Sequence, residues 1–258
     1  DDVIEKTRAQ IDKLKDLKTG MMQELLTQGI GHTEFKDSPV GRIPASWGLV
    51  TLEQLIGKLE GGVSVNGENR PKGPDEIGVL KVSSVLRGKF LPNEYKTVLS
   101  TDVDRARINP TIDRILFSRA NTRDLVGESA YVDKTYEDLF LPDKIWMLDV
   151  RDRLQVNVRW LSYILCSGNI RRAISDAATG TSGSMKNISK SSLLAITVPL
   201  PTLDEQKNIA KTLEAVDNEL TGSTARLHTY ENLKKALMQD LLTGKVRVKL
   251  DSPEVAAA

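Results

Sequence analysis

Arg119, Asn121, Thr122 and Arg123 gather, within one short stretch, the side-chain groups that read DNA base edges. An Arg fork spans guanine O6 and N7, and an Asn amide spans adenine N6 and N7, each as a bidentate pair. The stretch follows the apolar run Ile115-Leu116-Phe117, so these groups are expected just beyond a strand end. A second polar stretch, Thr179 to Asn187, offers Ser182, Ser184, Lys186 and Asn187 together with the backbone N–H groups of a Gly-rich loop. Donors of this kind suit phosphate oxygens, which position a protein on a duplex without reading its sequence. A third stretch, Gly61 to Pro74, adds Asn69, Arg70 and Lys72. Polar Gly-rich loops are usually plain surface connections, and by residue type alone that reading leads.

Other chemistries find little material. Cys166 is the only cysteine and sits in the apolar run Tyr163-Ile164-Leu165, so a buried core thiol is expected, with no disulfide framework and no cysteine zinc site. His32 and His228 are the only histidines and are far apart, which argues against a metal site or a His-based triad. The first Gly-rich loop lacks the G-K-[ST] of a phosphate-binding P-loop, and no G-x-G-x-x-G opens a helix after a strand. Asn109-Pro110-Thr111-Ile112 has part of the N-P-P-[YF] pattern of adenine methyltransferases but not its second proline or aromatic, and reads as a turn. Asp102 and Asp104 read as surface charge. Aromatics make up 5% of the chain, too few for a stacking platform for single strands. The net charge is +1, so any nucleic-acid face must come from local asymmetry; between Arg70 and Arg123 there are 11 Lys/Arg against 6 Asp/Glu. No apolar run approaches the length of a membrane span, and no secretory signal is present, so a reducing cytoplasm is the expected location.

Strands and helices must hold these loops. Strands are expected at 47–52, leading into a short helix at 52–58, and at 77–82, 114–118, 129–132, 145–150 and 196–199, each β-branched or apolar and bounded by turn residues. A helix is expected from Val158 to about Ala178. The middle of the chain, 41–200, is therefore an α+β domain with a mixed sheet as its core.

Two long amphipathic helices flank it, and they repeat one another. Leu17-Lys18-Thr19-Gly20-Met21-Met22-Gln23-Glu24-Leu25-Leu26-Thr27 aligns without a gap on Leu233-Lys234-Lys235-Ala236-Leu237-Met238-Gln239-Asp240-Leu241-Leu242-Thr243. The same alignment pairs Ile4 with Leu220 and Ile11 with Leu227. The first copy occupies 1–30, the second 202–245, and 246–258 is a tail. Pro199 and Pro201 end the preceding strand, and Thr202 with Glu205 has the spacing of a capping box. Ile209, Leu213, Val216, Leu220, Leu227 and Tyr230 keep a near-heptad spacing, with a stutter expected near Ser223 and a bend near Gly222. Each helix has an apolar stripe that it cannot bury alone, so the two are expected to pack antiparallel.

Three stretches resemble one known family. Val198-Pro199-Leu200-Pro201-Thr202-Leu203-Asp204-Glu205-Gln206-Lys207-Asn208-Ile209-Ala210 is similar to the segment that opens the conserved helix of type I restriction–modification specificity subunits. Gly41-Arg42-Ile43-Pro44-Ala45-Ser46-Trp47 resembles the start of their target-recognition domains, and Ile115 to Thr122 with Leu125-Val126-Gly127 resembles a strand and loop within them. The resemblance implies one target-recognition domain between conserved helices packed as an antiparallel coiled coil. It also implies a non-catalytic subunit that reads half of a bipartite double-stranded DNA site. The helices would dock two modification subunits, with Lys15, Lys18, Lys234 and Lys235 as candidate contacts, and a motor–nuclease subunit would complete the assembly. S-adenosylmethionine, ATP and Mg²⁺ are then expected on those partners and no cofactor on this chain.

Departures from the family pattern shape a further expectation. There is one recognition domain where two are usual, Gly62-Val63-Ser64-Val65 stands where a G-x-T-P motif is common, and residue 1 aligns inside the second helix copy. The chain is expected to be the C-terminal half of a longer subunit or a natural half-subunit that forms a homodimer. Two other readings compete: the recognition subunit of another multi-subunit restriction system, and a structural helical adaptor that binds only protein.

Overall fold

The computed structural model describes residues 1–180 and 185–243. Ser182 and Ser184, proposed for phosphate contact, and the tail 246–258 lie outside the described residues. The helices are α1 (Asp2–Leu25), α2 (Leu52–Leu55), α3 (Val158–Cys166), α4 (Gly168–Ala177), α5 (Lys190–Leu194) and α6 (Leu203–Leu242). The chain divides into two compact units, one of residues 1–20 with 214 onward and one of residues 21–213.

In the first unit α1 packs on α6. Ile4, Thr7 and Ile11 are buried on α1, with Leu14 and Lys18 half-buried in the same 3–4 spacing. On α6 the matching line runs through Val216, Leu220, Ser223, Leu227 and Tyr230, with Leu220 and Ser223 fully buried. Both lines are heptad seams. The ion pairs fix the direction as antiparallel: Lys18 with Asp217 at 2.6 Å, Arg8 with Glu231 at 2.6 Å, and Lys234 with Asp1. The expected stutter at Ser223 is not one. Ser223 fills a heptad position, 0% exposed, because its hydroxyl is satisfied locally by Glu219 and Arg226. α6 continues as helix through Gly222.

In the second unit a four-stranded antiparallel sheet runs in the order Ser129–Val132, Arg114–Ser118, Ile145–Val150, Ile56–Gly61. Side chains alternate across a strand, and both faces of this sheet are covered. Ile115, Phe117, Trp146 and Leu148 join α3, α4 and α5 in the larger core, with Trp47, Trp160 and Leu161 at its centre. Leu116, Ile145, Met147, Ala130 and Val132 face a smaller core with Leu80, Val85 and Leu139. That second core belongs to a mixed sheet ordered Leu139–Phe140, Gly78–Leu80, Tyr95–Val98, Gly67–Glu68, in which the first two strands are parallel. The last turn of α1 and the first turns of α6 also enter the larger core: Leu26, Ile209 and Leu213 are buried, and Met21, Met22 and Leu25 pack beside them.

The expected strands at 114–118, 129–132 and 145–150 form, and those at 77–82 and 196–199 form as Gly78–Leu80 and Thr197–Leu200. The short helix expected to reach Lys58 stops at Leu55, and Ile56–Gly61 becomes a strand because Ile145–Val150 needs a partner on its free edge. The single helix expected from Val158 to Ala178 is two, broken at Ser167, whose extended backbone (φ −68°, ψ 146°) caps both. Cys166, expected to be buried, lies at that break and is partly exposed, 3.4 Å from the Ser129 hydroxyl.

Candidate nucleic-acid interface

The sequence separates the Arg119 and Lys186 loops by more than sixty positions; the fold joins them. Ala120–Asn121 pairs antiparallel with Lys186–Asn187, placing Asn121 opposite Lys186 and Ala120 opposite Asn187. Ile188 N–H donates to the Arg119 carbonyl at 3.0 Å, and Thr179 and Asn187 exchange backbone hydrogen bonds at 2.8 Å on the other side. Asn121, Lys186 and Asn187 therefore share one small ladder, with Arg119 at its end and Thr122 and Arg123 in the loop that follows it.

Each side chain there is held differently. The Arg119 Nε donates to the Asp143 carbonyl at 2.7 Å, its Nη2 lies 3.9 Å from the Asp143 carboxylate, and its guanidinium lies 5.9 Å from the Trp146 ring. The Asn121 Oδ1 accepts from Thr122 N–H at 2.8 Å, which orients the amide while its NH₂ remains a donor. Thr122 and Arg123 are exposed. Lys186 Nζ reaches the Gly180 carbonyl at 2.9 Å.

Sequence reading missed what anchors this loop. Arg171 on α4 donates to the Val126 carbonyl at 2.8 Å and the Asp124 carbonyl at 3.3 Å, and Ser175, one turn on, donates to the Arg123 carbonyl at 3.4 Å. Arg171 also pairs with Glu128 at 3.3 Å, both ends largely buried. A cleft lined by Arg123, Asp124, Glu128, Arg171, Arg172, Ser175 and Asp176 opens here. Nothing local marks Arg171 in the sequence, since its partners lie more than forty residues upstream.

The third predicted group sits on the other sheet, at the Gly67–Glu68 edge, and is tied up internally. Arg70 spends its guanidinium on Glu76, at 2.5 and 2.7 Å, and on Glu68 at 2.8 Å. That pairing, with a hydrogen bond from Gly73 N–H, holds the Glu76 carboxyl down at about 2, and the two carboxylates raise the Arg70 guanidinium further. Lys72 pairs with Asp138, which raises the lysine and lowers the carboxyl, and its ammonium lies 5.8 Å from the Tyr95 ring. Asn69 is exposed beside them.

Of the candidate partner contacts, Lys18 and Lys234 are engaged across the helix pair with Asp217 and Asp1, Lys15 pairs with Asp12 at 2.9 Å along its own helix, and Lys235 is exposed on α6. Among the described residues no His/Cys/Asp/Glu cluster could hold a metal ion, and no helix is long and apolar enough to cross a membrane.

The two most distinctive sequence stretches meet at one carboxylate. Glu205 accepts from the Trp47 indole N–H at 2.9 Å, from His32 at 2.8 Å and from Ile30 N–H at 3.0 Å. Gly29, at φ +68°, brings the chain so close that a Cβ there would run into Glu205 and Trp47. Next to it, fully buried Gln206 accepts from Asn157 N–H at 2.9 Å and donates to the Gln155 and Pro201 carbonyls at 3.0 Å. The Glu-Gln pair at the start of α6 thus ties the Trp47 segment and the start of α3 to one helix end.

Residues 44–228 match the model of the type I restriction modification DNA specificity domain. The chain is 30% identical, over 96% of its length and 58% of the relative's, to the type I restriction enzyme MjaVIII specificity subunit of Methanocaldococcus jannaschii. It is 26% identical, over 67% of its length and 29% of the relative's, to the EcoEI specificity subunit of Escherichia coli. Its fold is shared with the type I restriction-modification S subunit from M. genitalium, at a TM-score of 0.57 and 22% identity, covering 77% of this chain and 46% of that one. It is shared also with the HsdS subunit from Thermoanaerobacter tengcongensis, at a TM-score of 0.54 and 16% identity, covering 95% and 54%. The chain spans a little over half the length of the first of these relatives. Its α+β unit flanked by paired helices and its sequence together place it in the type I restriction–modification DNA specificity domain family, a family of non-catalytic specificity subunits.

Proposed function

We propose that this chain recognises one half of a bipartite double-stranded DNA site for a type I restriction–modification system and that its helix pair docks modification subunits. The observation that carries the reading is the ladder between Ala120–Asn121 and Lys186–Asn187, which gathers Arg, Asn, Thr and Lys donors from two distant loops on one unit of this family's fold. Arg119 and Asn121 supply base-reading groups, and Lys186 supplies a phosphate contact. Chemistry is left to the partners: modification subunits with S-adenosylmethionine, and a motor–nuclease subunit with ATP and Mg²⁺, in the cytoplasm. A second copy of this chain would supply the other half-site, giving a homodimer.

The test is selection of duplexes from a random library by the purified chain. A short motif should be enriched, repeated in inverted orientation across a spacer where two copies bind together. Arg119→Ala or Asn121→Ala should lower affinity by about 1–3 kcal/mol and relax one base pair of it. Lys186→Ala should weaken binding to all duplexes alike. Enrichment of no motif by the parent chain rejects the reading. For the helices, Lys235→Glu is the cleanest probe, since Lys18 and Lys234 also hold the pair together. Loss of modification-subunit co-purification supports docking there, and capture equal to the parent's argues against it.

A further inference from the structure

A tight hairpin in the same unit has no role so far. Val85–Leu86 pairs with Lys89–Phe90, leaving Arg87 and Gly88 as a two-residue turn at φ +50° and +77°. Two positive φ values define the type I′ turn, whose first position favours Asn, Asp or Gly. An Arg there is strained, and strain of this kind gathers at functional positions. The strain is held in place from several sides. Val85 is buried, Phe90 packs edge-on against Tyr136 with centroids 5.1 Å apart, and Gly88 bridges to Ala130 on the central sheet. The Arg87 N–H donates to the Glu128 carboxylate, which also pairs with Arg171. Arg171 is the side chain that holds the Asp124 and Val126 carbonyls. Through Glu128 and Arg171, the hairpin tip and the 119–124 loop are fixed to the same turn of α4. The Arg87 and Lys89 side chains at the tip are exposed.

We infer that this hairpin is a second DNA-reading element and that Arg87 is a specificity-determining residue contacting a base edge. The inference rests on the DNA-recognition reading above. A two-stranded ribbon fits the major groove, and an Arg at its tip presents a fork that matches guanine O6 and N7. Glu128 and Arg171 are positioning residues. They leave the guanidinium free and fix the backbone that carries it. Duplex DNA is the occupant the charge favours: the exposed tip carries two cations, and the one carboxylate beneath it is already neutralised by Arg171.

Duplex selection and thermal unfolding of the full chain test this with Arg87→Asn and Arg87→Lys. Asn accepts the left-handed conformation, so Arg87→Asn should unfold at the parent's temperature or higher. It should nonetheless lose selectivity at one base pair and bind the parent's selected duplex roughly tenfold to a hundredfold more weakly. Arg87→Lys keeps the charge but not the fork, and should lose selectivity at the same base pair. An Arg87→Asn chain that enriches the parent's motif at the parent's affinity overturns the proposal, as does a uniform loss on all duplexes, which marks a phosphate contact. If those results accompany relaxed selectivity at one base pair in Arg119→Ala, the DNA-recognition reading stands and only the hairpin falls. A parent chain that enriches no motif defeats the reading itself.

Discussion

Replacing Glu205 by Ala leaves the indole N–H of Trp47, a residue 2% exposed, without its acceptor, and releases His32 and Ile30 N–H as well. A buried donor left unpaired costs about 1–3 kcal/mol, so Glu205→Ala should lower stability by about that much in urea unfolding. Glu205→Gln retains an oxygen for the indole and should lose less. Equal loss in both would mean that charge, not the hydrogen bond, matters. A second residue-scale expectation concerns acid. The Glu76 carboxyl lies at about 2 in the folded protein, below its ordinary value, because Arg70 and Gly73 N–H bind its charged form. A depressed carboxyl stabilises the fold above its unfolded value and loses that contribution as pH falls through the folded value. The Arg70–Glu76 ion pair should therefore hold at neutral pH and be lost as pH falls through about 2. NMR titration of the Gly73 amide would follow this, and Glu76→Gln should abolish the transition.

At the scale of elements, the helix seam makes a sharper claim. Lys18 and Asp217 are both less than a fifth exposed, so neither solvent nor salt screens them well. Asp217→Ala should destabilise the helix pair by about 1–3 kcal/mol, and Asp217→Asn, which keeps a hydrogen-bond acceptor without the charge, should lose less. Circular dichroism during thermal unfolding would show both; equal loss in the two variants would mean that the charge matters and the hydrogen bond does not. The seam also shows what was legible in the sequence. Its 3–4 spacing was readable from Ile209 to Tyr230, but Ser223 read as an interruption, since a hydroxyl's local partners cannot be seen in a hydropathy pattern. Strands such as Ile145–Val150 announced themselves because both faces are buried and the run is apolar but for Asp149. Ile56–Gly61 did not, because it owes its conformation to a neighbour about ninety residues away. The loop from Arg119 to Arg123 was legible as a candidate by residue type, and its union with Lys186–Asn187 was not. Two-residue ladders carry no period, and their partner is chosen by the fold.

At the scale of the whole molecule, the end of α6 carries exposed apolar side chains. Leu233, Leu237, Met238 and Leu241 are each about half exposed, and Leu242 is 84% exposed. An apolar face of this kind suits the self-association proposed above. With the homodimer proposed above, light scattering at micromolar concentration should give twice the 28.5 kDa of one chain, and Leu237→Asp with Leu241→Asp should return it to a monomer. A parent chain already monomeric there rejects self-association.

The repeat turns that face into a built-in control. Met21, Met22, Leu25 and Leu26 are the same apolar pattern as Leu237, Met238, Leu241 and Leu242, yet the first four help close the larger core and the second four stand in water. Leu26→Ala should cost about 2–4 kcal/mol, while Leu242→Ala should change stability by less than about 0.5 kcal/mol. Folding thus guards one copy and is indifferent to the other. The exposed copy is the one that the proposed docking would cover, so substitutions at Leu237, Met238, Leu241 and Leu242 should show in assembly and not in unfolding.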